Sequence, residues 1–302
     1  MITNIKNRTI YSNKDYPYYI FTSDIHGMLD TISYIKHAIR DFPTAQLIGG
    51  GDYIDGRKHS KEVCDFLINK AEHNNAVILN GNHEEMMIDF ADGHDIYELG
   101  QEPLWYFNGG KKTIKSFLGR GFSKIKTAKY IRESYYYSYF KNNNLMYITP
   151  HYIFVHAGVI PNSYFDDPAK YTDYNNFRIW ERDNYIKDGH NYFAHNYTNR
   201  TIVTGHTPTC FIQGNFDDKR VMPKTDETRC IIKISQYPGE CKRVFTDGGA
   251  HSAIPTNKGN VTVFDSCSNI MRIYNYRYPT GINFDKYCDI YQKQNIFGIT
   301  IA

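Results

Sequence analysis

The chain has 302 residues, of which 41% are hydrophobic, 22% charged and 16% aromatic, a balance that supports a buried core and excludes disordered, collagenous and coiled-coil chains. A formal net charge of +3 is too small to mark nucleic acid or an anionic membrane as the partner, and neither is expected. No apolar run reaches the length of a spanning helix, the polar start from Met1 to Asp15 lacks the apolar stretch of a signal peptide, and the six cysteines are scattered without a CxxC pair; a cytoplasmic protein with reduced thiols is expected.

In chain order, Tyr18 to Thr22 reads as a strand, Ser23-Asp24-Ile25-His26-Gly27 as a loop, and Leu29 to Arg40 as an amphipathic helix. The unit recurs as Ala45 to Ile48, the loop Gly49 to Gly56, and a helix from Ser60 to His73 with Ser60 as its N-cap. It recurs again as Ala76 to Leu79, Gly81-Asn82-His83-Glu84 and a further helix. Three such units imply an α/β sheet with right-handed crossovers. From Asp89 to Asn144 the pattern is helical and predicts an insertion beside the sheet; its basic segment Lys124 to Lys141 reads as a helix with a solvated face, and its tyrosines as half-buried surface. Strands return at Leu145 to Thr149, Tyr152 to Val155, Thr201 to Val203, Arg229 to Ile234, Arg243 to Phe245 and Asn260 to Phe264. With no repeat or linker, residues 1–302 read as one domain, and a C-terminal extension from about Met271 would restrict large substrates if it folded over the site.

Asp24, His26, Asp52, Asp55, Asn82, His83, His156 and His206 all follow predicted strands, where open α/β sheets bind their ligands. Asp24 and His26, two apart on extended backbone, point to the same side. Carboxylates, an amide oxygen and imidazoles without a thiolate suit Mn, Fe or Zn, and the set is large enough for two ions. A carboxylate such as Asp52 can bridge two ions about 3.5–4 Å apart, an arrangement that generates hydroxide and neutralises a phosphoryl group, which predicts phosphoester hydrolysis. Helix capping or a buried core histidine accounts for any one of these residues, but not for the whole set.

Asp24-Ile25-His26-Gly27, Gly51-Asp52-Tyr53-Ile54-Asp55, Gly81-Asn82-His83-Glu84, Val155-His156-Ala157-Gly158 and Gly205-His206-Thr207-Pro208 together resemble the ordered signature of calcineurin-like metallophosphoesterases, nearest to the serine/threonine protein phosphatase branch. Trp105 to Gly110, Ile179 to Asp183 and Thr246 to Ala250 resemble segments of its bacterial members, so the likeness spans about residues 18–266. The resemblance implies a four-layer α/β/β/α sandwich with a helical insertion and two divalent ions, manganese first, with iron or zinc as alternatives. It implies that Asp24, His26 and Asp52 hold one ion and that Asp52, Asn82, His156 and His206 hold the other. A metal-bridging hydroxide would attack phosphorus while His83, aimed by Asp55, protonates the leaving oxygen. The substrate would be a phosphorylated protein or a small phosphoester; the alternatives are a nucleotide hydrolase similar to the symmetrical diadenosine tetraphosphatases, its adenine stacked on the aromatic insertion, and a catalytically weak scaffold.

Two positions depart from the family pattern. The second motif usually continues D-R-G but here reads Asp55-Gly56-Arg57, so Arg57 is either a phosphate contact or a solvated surface arginine. Asn80 stands where an arginine often precedes the third motif, which leaves Arg182 as the better bidentate phosphate ligand, its alternative being a local ion pair. Gly49-Gly50-Gly51 reads as close backbone approach, Asp247-Gly248-Gly249 as a turn, and His59 and His251 as the unassigned histidines nearest the site loops.

Overall fold

The computed structural model describes residues 8–73, 75–94, 102–159, 174–186, 200–212, 232–236, 241–252 and 258–292. A short strand, β1 (Thr9–Tyr11), precedes three strand–loop–helix units: β2 (Tyr18–Thr22) with α1 (Leu29–Asp41), β3 (Gln46–Gly49) with α2 (Ser60–His73), and β4 (Ala76–Ile78) with α3 (Asn82–Asp92). Helices α4 (Leu104–Phe107), α5 (Gly110–Leu118), α6 (Lys124–Arg132) and α7 (Tyr135–Phe140) follow, then β5 (Met146–Ile148), β6 (Tyr152–Val155), α8 (Tyr174–Trp180), α9 (Asp183–Ile186) and β7 (Thr201–Thr204). The remainder is β8 (Lys233–Ser235), β9 (Arg243–Phe245), β10 (Val261–Asp265), β11 (Ile270–Tyr274), β12 (Ile282–Asn283) and α10 (Phe284–Gln292).

The strands form two six-stranded sheets, ordered β12-β11-β10-β2-β3-β4 and β1-β5-β6-β7-β9-β8. Within them β2, β3 and β4 are mutually parallel, as are β6, β7 and β9. Side-chain alternation decides what each face meets. Tyr19 and Phe21 of β2 turn toward the second sheet, where Phe21 stacks on Phe154 at 5.6 Å, while Ile20 between them joins Ile35 and Leu67 on the helical side. On β6, Phe154 belongs to the layer between the sheets, and Ile153 and Val155 pack with Phe177 and Tyr185 of α8 and α9. Both faces are covered, so these strands need apolar residues at successive positions, as Tyr19-Ile20-Phe21 and Tyr152-Ile153-Phe154-Val155 provide. The result is the expected four-layer α/β/β/α arrangement.

Of the tyrosines of α7, Tyr137 and Tyr139 are half-buried, Tyr136 is buried and Tyr135 is exposed; Tyr136 Oη donates to Asp65 at 2.5 Å and Tyr137 Oη to Asp92 at 2.6 Å. Three readings are corrected or refined. Ser60 is not an N-cap: the helix already includes it, and its hydroxyl pairs with Thr113 at 3.2 Å instead of closing its own first turn. The strand read from Arg229 lies at Lys233–Ser235, and residues 229–231 fall outside the described residues. The extension after Met271 adds β11 and β12 to the sheet edge opposite β4, so its described part widens the sheet and does not cap the site. Among the described residues no helix is long and apolar enough to cross a membrane.

Candidate active site

The loops leaving β2 and β3 are bonded backbone to backbone, as are those leaving β6 and β7, and His206 N joins the two pairs by donating to the Asp24 carboxylate at 2.9 Å. Asp24 N donates to Gly51 O at 2.9 Å, His26 N to Asp52 O at 3.0 Å, and Gly205 N to His156 O at 2.9 Å. The turns are sharp enough to force non-glycine residues into the left-handed region: Asp24 (φ 52°), His26 (48°), Asp52 (59°), Asp55 (67°) and His206 (61°). For a residue with a Cβ this conformation costs roughly 1–2 kcal/mol. Its concentration on five candidate residues indicates that the fold gives up local stability to aim these side chains.

Two donor sets result, and they share one carboxylate. Ligand atoms of Asp24, His26 and Asp52 lie within 4.8 Å of one another, as do those of Asp52, His156 and His206. Asn82 Oδ1 joins the second set, 3.0 Å from His156 Nε2. Each imidazole commits one N–H to a backbone carbonyl: His26 Nδ1 to Ile54 O at 2.9 Å, His156 Nδ1 to Gly50 O at 2.8 Å and His206 Nε2 to Trp180 O at 3.1 Å. Those bonds select the tautomers and leave His26 Nε2, His156 Nε2 and His206 Nδ1 as lone pairs. Around His156 Nε2 this places His206 Nδ1 at 3.1 Å, Asn82 Oδ1 at 3.0 Å and Asp52 Oδ2 at 3.3 Å. Four potential acceptor atoms facing one another in a buried site repel unless a proton or a metal cation sits among them, so the residues fit divalent ions.

His83 and Asp55 stand beside these sets. His83 donates Nδ1–H to Asp55 Oδ2 at 2.7 Å, and its Nε2 lies 3.8 Å from Asp52 Oδ2. Asp55 also accepts from Thr113 Oγ1 at 2.5 Å and from Trp105 Nε1 at 3.0 Å. Gly110 gives Trp105 its place, since a Cβ there would lie 2.6 Å from the indole. The Trp105-to-Gly110 run and α5 are thereby the scaffold of the dyad.

The calcineurin-like phosphoesterase family model matches residues 18–223, more than half of the chain. The chain belongs to the calcineurin-like phosphoesterases. No curated protein matches the sequence. Among solved structures, a protein assigned as a diadenosine tetraphosphatase superposes with TM-score 0.51 at 14% identity, over 88% of this chain and 97% of its own. A cold-active protein tyrosine phosphatase variant gives 0.50 at 14%, over 93% and 84%. A protein serine/threonine phosphatase from Saccharomyces cerevisiae gives 0.47 at 15%, over 86% and 78%. At such identities the likeness concerns the fold.

In this phosphoesterase the buried charges act on one another at close range. Burial raises Asp24, whereas for Asp52 the imidazoles of His156, His83 and His26 outweigh burial and hold the carboxyl well below its ordinary value. Burial favours a neutral ring at both His83 and His156; Asp52, with Asp55 for the first and Asp24 for the second, reverses it and pushes each up to about 9. His26 and His206 go the other way, pushed down by burial and by a neighbouring imidazole. The same anionic field that holds protons on two rings favours a divalent cation in their place.

A cavity of about 330 Å³ opens over the centre, lined by Asp24, His26, Asp52, Asn82, His83 and His206 together with Asn108, Trp180, Arg182, Phe211, Asp247 and His251. Arg182 reaches it and donates to His206 O at 2.6 Å and Thr207 Oγ1 at 3.2 Å. Arg57 does not: its guanidinium turns to Ala250 O at 3.2 Å and to Ser252 O, and it lines a different cavity. In this structure the half-buried side chain ties two loops together. Trp105 is fully buried against Asp55 and cannot stack a substrate; the aromatic rings lining the cavity are Trp180 and Phe211.

Two further carboxylates carry structure that the motifs did not assign. Glu84 accepts from the backbone N–H groups of Asp52 and Tyr53 at 2.8 Å and of Gly81 at 2.9 Å, clamping the second and third motifs together. Its signal was the glutamate three positions after Gly81, the capping-box spacing from N-cap to N3. Asp247, read as a turn residue, does accept from Gly249 N at 2.7 Å, but it is also buried at the cavity wall, where burial and Asp24 raise its pKa well above the ordinary value.

The glycines of the motifs are spaces for side chains. A Cβ on Gly205 would lie 2.0 Å from both Asp24 Oδ2 and Ser23 Oγ. Gly205→Ala is therefore expected to displace Asp24 and weaken metal retention by about 10–100-fold. Metal content after dialysis, with circular dichroism as the control for folding, checks this; a variant that keeps full metal content refutes the placement.

Proposed function

We propose that this phosphoesterase is a dinuclear metal-dependent phosphomonoester hydrolase of the serine/threonine phosphatase kind. The observation that carries the reading is the sharing of Asp52 by two buried donor sets, with the His83–Asp55 pair within 3.8 Å of that carboxylate. Asp24, His26 and Asp52 would hold one ion, and Asp52, Asn82, His156 and His206 the other. Such ions, manganese for preference given the oxygen donors, supply Lewis-acid activation of water and neutralise phosphoryl charge. The chain's own groups do the rest. Arg182, held by His206 O and Thr207 Oγ1, presents its cationic group to the cavity and would steady the phosphoryl oxygens. His83, protonated and aimed by Asp55, would deliver its Nε2 proton to the departing alkoxide.

Trp180 and Phe211 at the cavity wall favour a second reading, in which an adenine stacks there and a dinucleotide polyphosphate is cut. Steady-state hydrolysis of phosphoserine peptides and of diadenosine tetraphosphate by the manganese-loaded chain separates the two. A larger kcat/KM on the peptides is expected; at least tenfold preference for the dinucleotide would replace the first reading by the second.

A further inference from the structure

His251 belongs to neither donor set, yet it is built like a ligand. It donates Nε2–H to Asn108 O at 3.2 Å, which leaves Nδ1 as its lone pair, the same carbonyl-anchored pattern that orients His26, His156 and His206. Its ring lies 4.7 Å from that of His26 and 5.2 Å from that of His83. One nitrogen from each of these three rings lies within 4.8 Å of the others, and His251 itself is open to solvent. The loop is fastened in place: Arg57, the displaced arginine of the second motif, donates to the carbonyls of Ala250 and Ser252 on either side of His251.

We propose that His26, His83 and His251 form a third, nitrogen-only metal position selective for zinc, whose occupation removes His83 from proton transfer and silences the centre. Three imidazoles with room for water are a zinc-type donor set, whereas manganese prefers the positions that offer carboxylate and amide oxygens. His83 can serve because Asp55 anchors its Nδ1 and leaves Nε2 to the cavity. His26 has only Nε2 available, since Nδ1 is bonded to Ile54 O, so this position and the Asp24–His26–Asp52 set exclude one another. Zinc at the histidine position would thus both disable the acid and unseat a neighbouring ion. The inhibitory consequence rests on the hydrolase reading above; the binding does not.

The test uses zinc itself with the full chain. In the metal-stripped protein loaded with zinc, nitrogen NMR of the histidine rings is expected to show His251 Nδ1 and His83 Nε2 moved to their metal-bound positions, and His251 keeping its free lone-pair signal overturns the proposal. In manganese, normalised to each variant's own activity, His251→Phe and His251→Asn are expected to need about tenfold more zinc for half inhibition. Equal zinc sensitivity in wild type and both variants also overturns it. Metallated His251 in a protein that hydrolyses no phosphoester would uphold the zinc position and sink the hydrolase reading, whereas manganese-dependent turnover with unmetallated His251 would do the reverse.

Discussion

Asp52→Asn is expected to lower manganese-dependent hydrolysis of p-nitrophenyl phosphate by about a thousandfold or more, equivalent to about 4 kcal/mol of transition-state stabilisation. Asp52 is the one carboxylate common to both donor sets, and its Oδ2 has His156 Nε2 at 3.3 Å, His26 Nε2 at 3.7 Å and His83 Nε2 at 3.8 Å around it. An amide keeps the size but removes the charge that draws cations to both sets. Its N–H donor would also meet the imidazole lone pairs and take up positions that a cation needs. Folding should survive, because Oδ1 can still accept from His83 N, now at 3.0 Å, as an amide oxygen. Activity assayed beside metal content decides the matter: a variant that binds two manganese ions and turns over normally would falsify the shared-carboxylate reading.

Replacing His83 by asparagine is expected to separate substrates by their leaving groups. On an alkyl phosphate such as phosphoserine the alkoxide needs a proton, and loss of the general acid should cost about 10²–10⁴-fold in kcat. p-Nitrophenolate leaves without protonation, so the loss there should be far smaller, about tenfold or less. Asp55→Asn should fall between them on the alkyl ester, because the ring stays but loses the carboxylate charge that anchors it at 2.7 Å and holds its proton. Equal losses on both substrates would assign His83 to binding or structure and not to proton transfer. Thermal unfolding belongs in the same experiment, since removing His83 leaves Asp55 fully buried with only Thr113, Trp105 and its backbone surroundings to stabilise the charge.

Most strands were legible because strands covered on both faces need continuous apolar runs, and Tyr18–Thr22, Tyr152–Val155 and Arg243–Phe245 lie where the residues indicated. The ends were less so: β3 starts one residue later and finishes one later than the run Ala45 to Ile48, because hydrogen bonding to β2 and not composition decides where pairing stops. At the site, Asp24, His26, Asp52, Asn82, His156 and His206 were readable as a convergent set, since each emerges at the end of a strand of one α/β framework.

Arg57, His251, Trp105 and the tail were not readable in the same way. Arg57 reaches Ala250 O, a partner 193 residues away, and His251 is aimed by Asn108 O across 143 residues. Both acceptors are backbone carbonyls, present at every position and so without any signature in residue type. The sequence by itself determined which side chains stand at the strand ends and hence the chemistry on offer, because strand periodicity and motif order are local. Only the tertiary structure decided which of them face the cavity, which nitrogen of each imidazole is presented, and that Trp105 serves Asp55 instead of a substrate, because those outcomes depend on how distant loops pack and bond to one another.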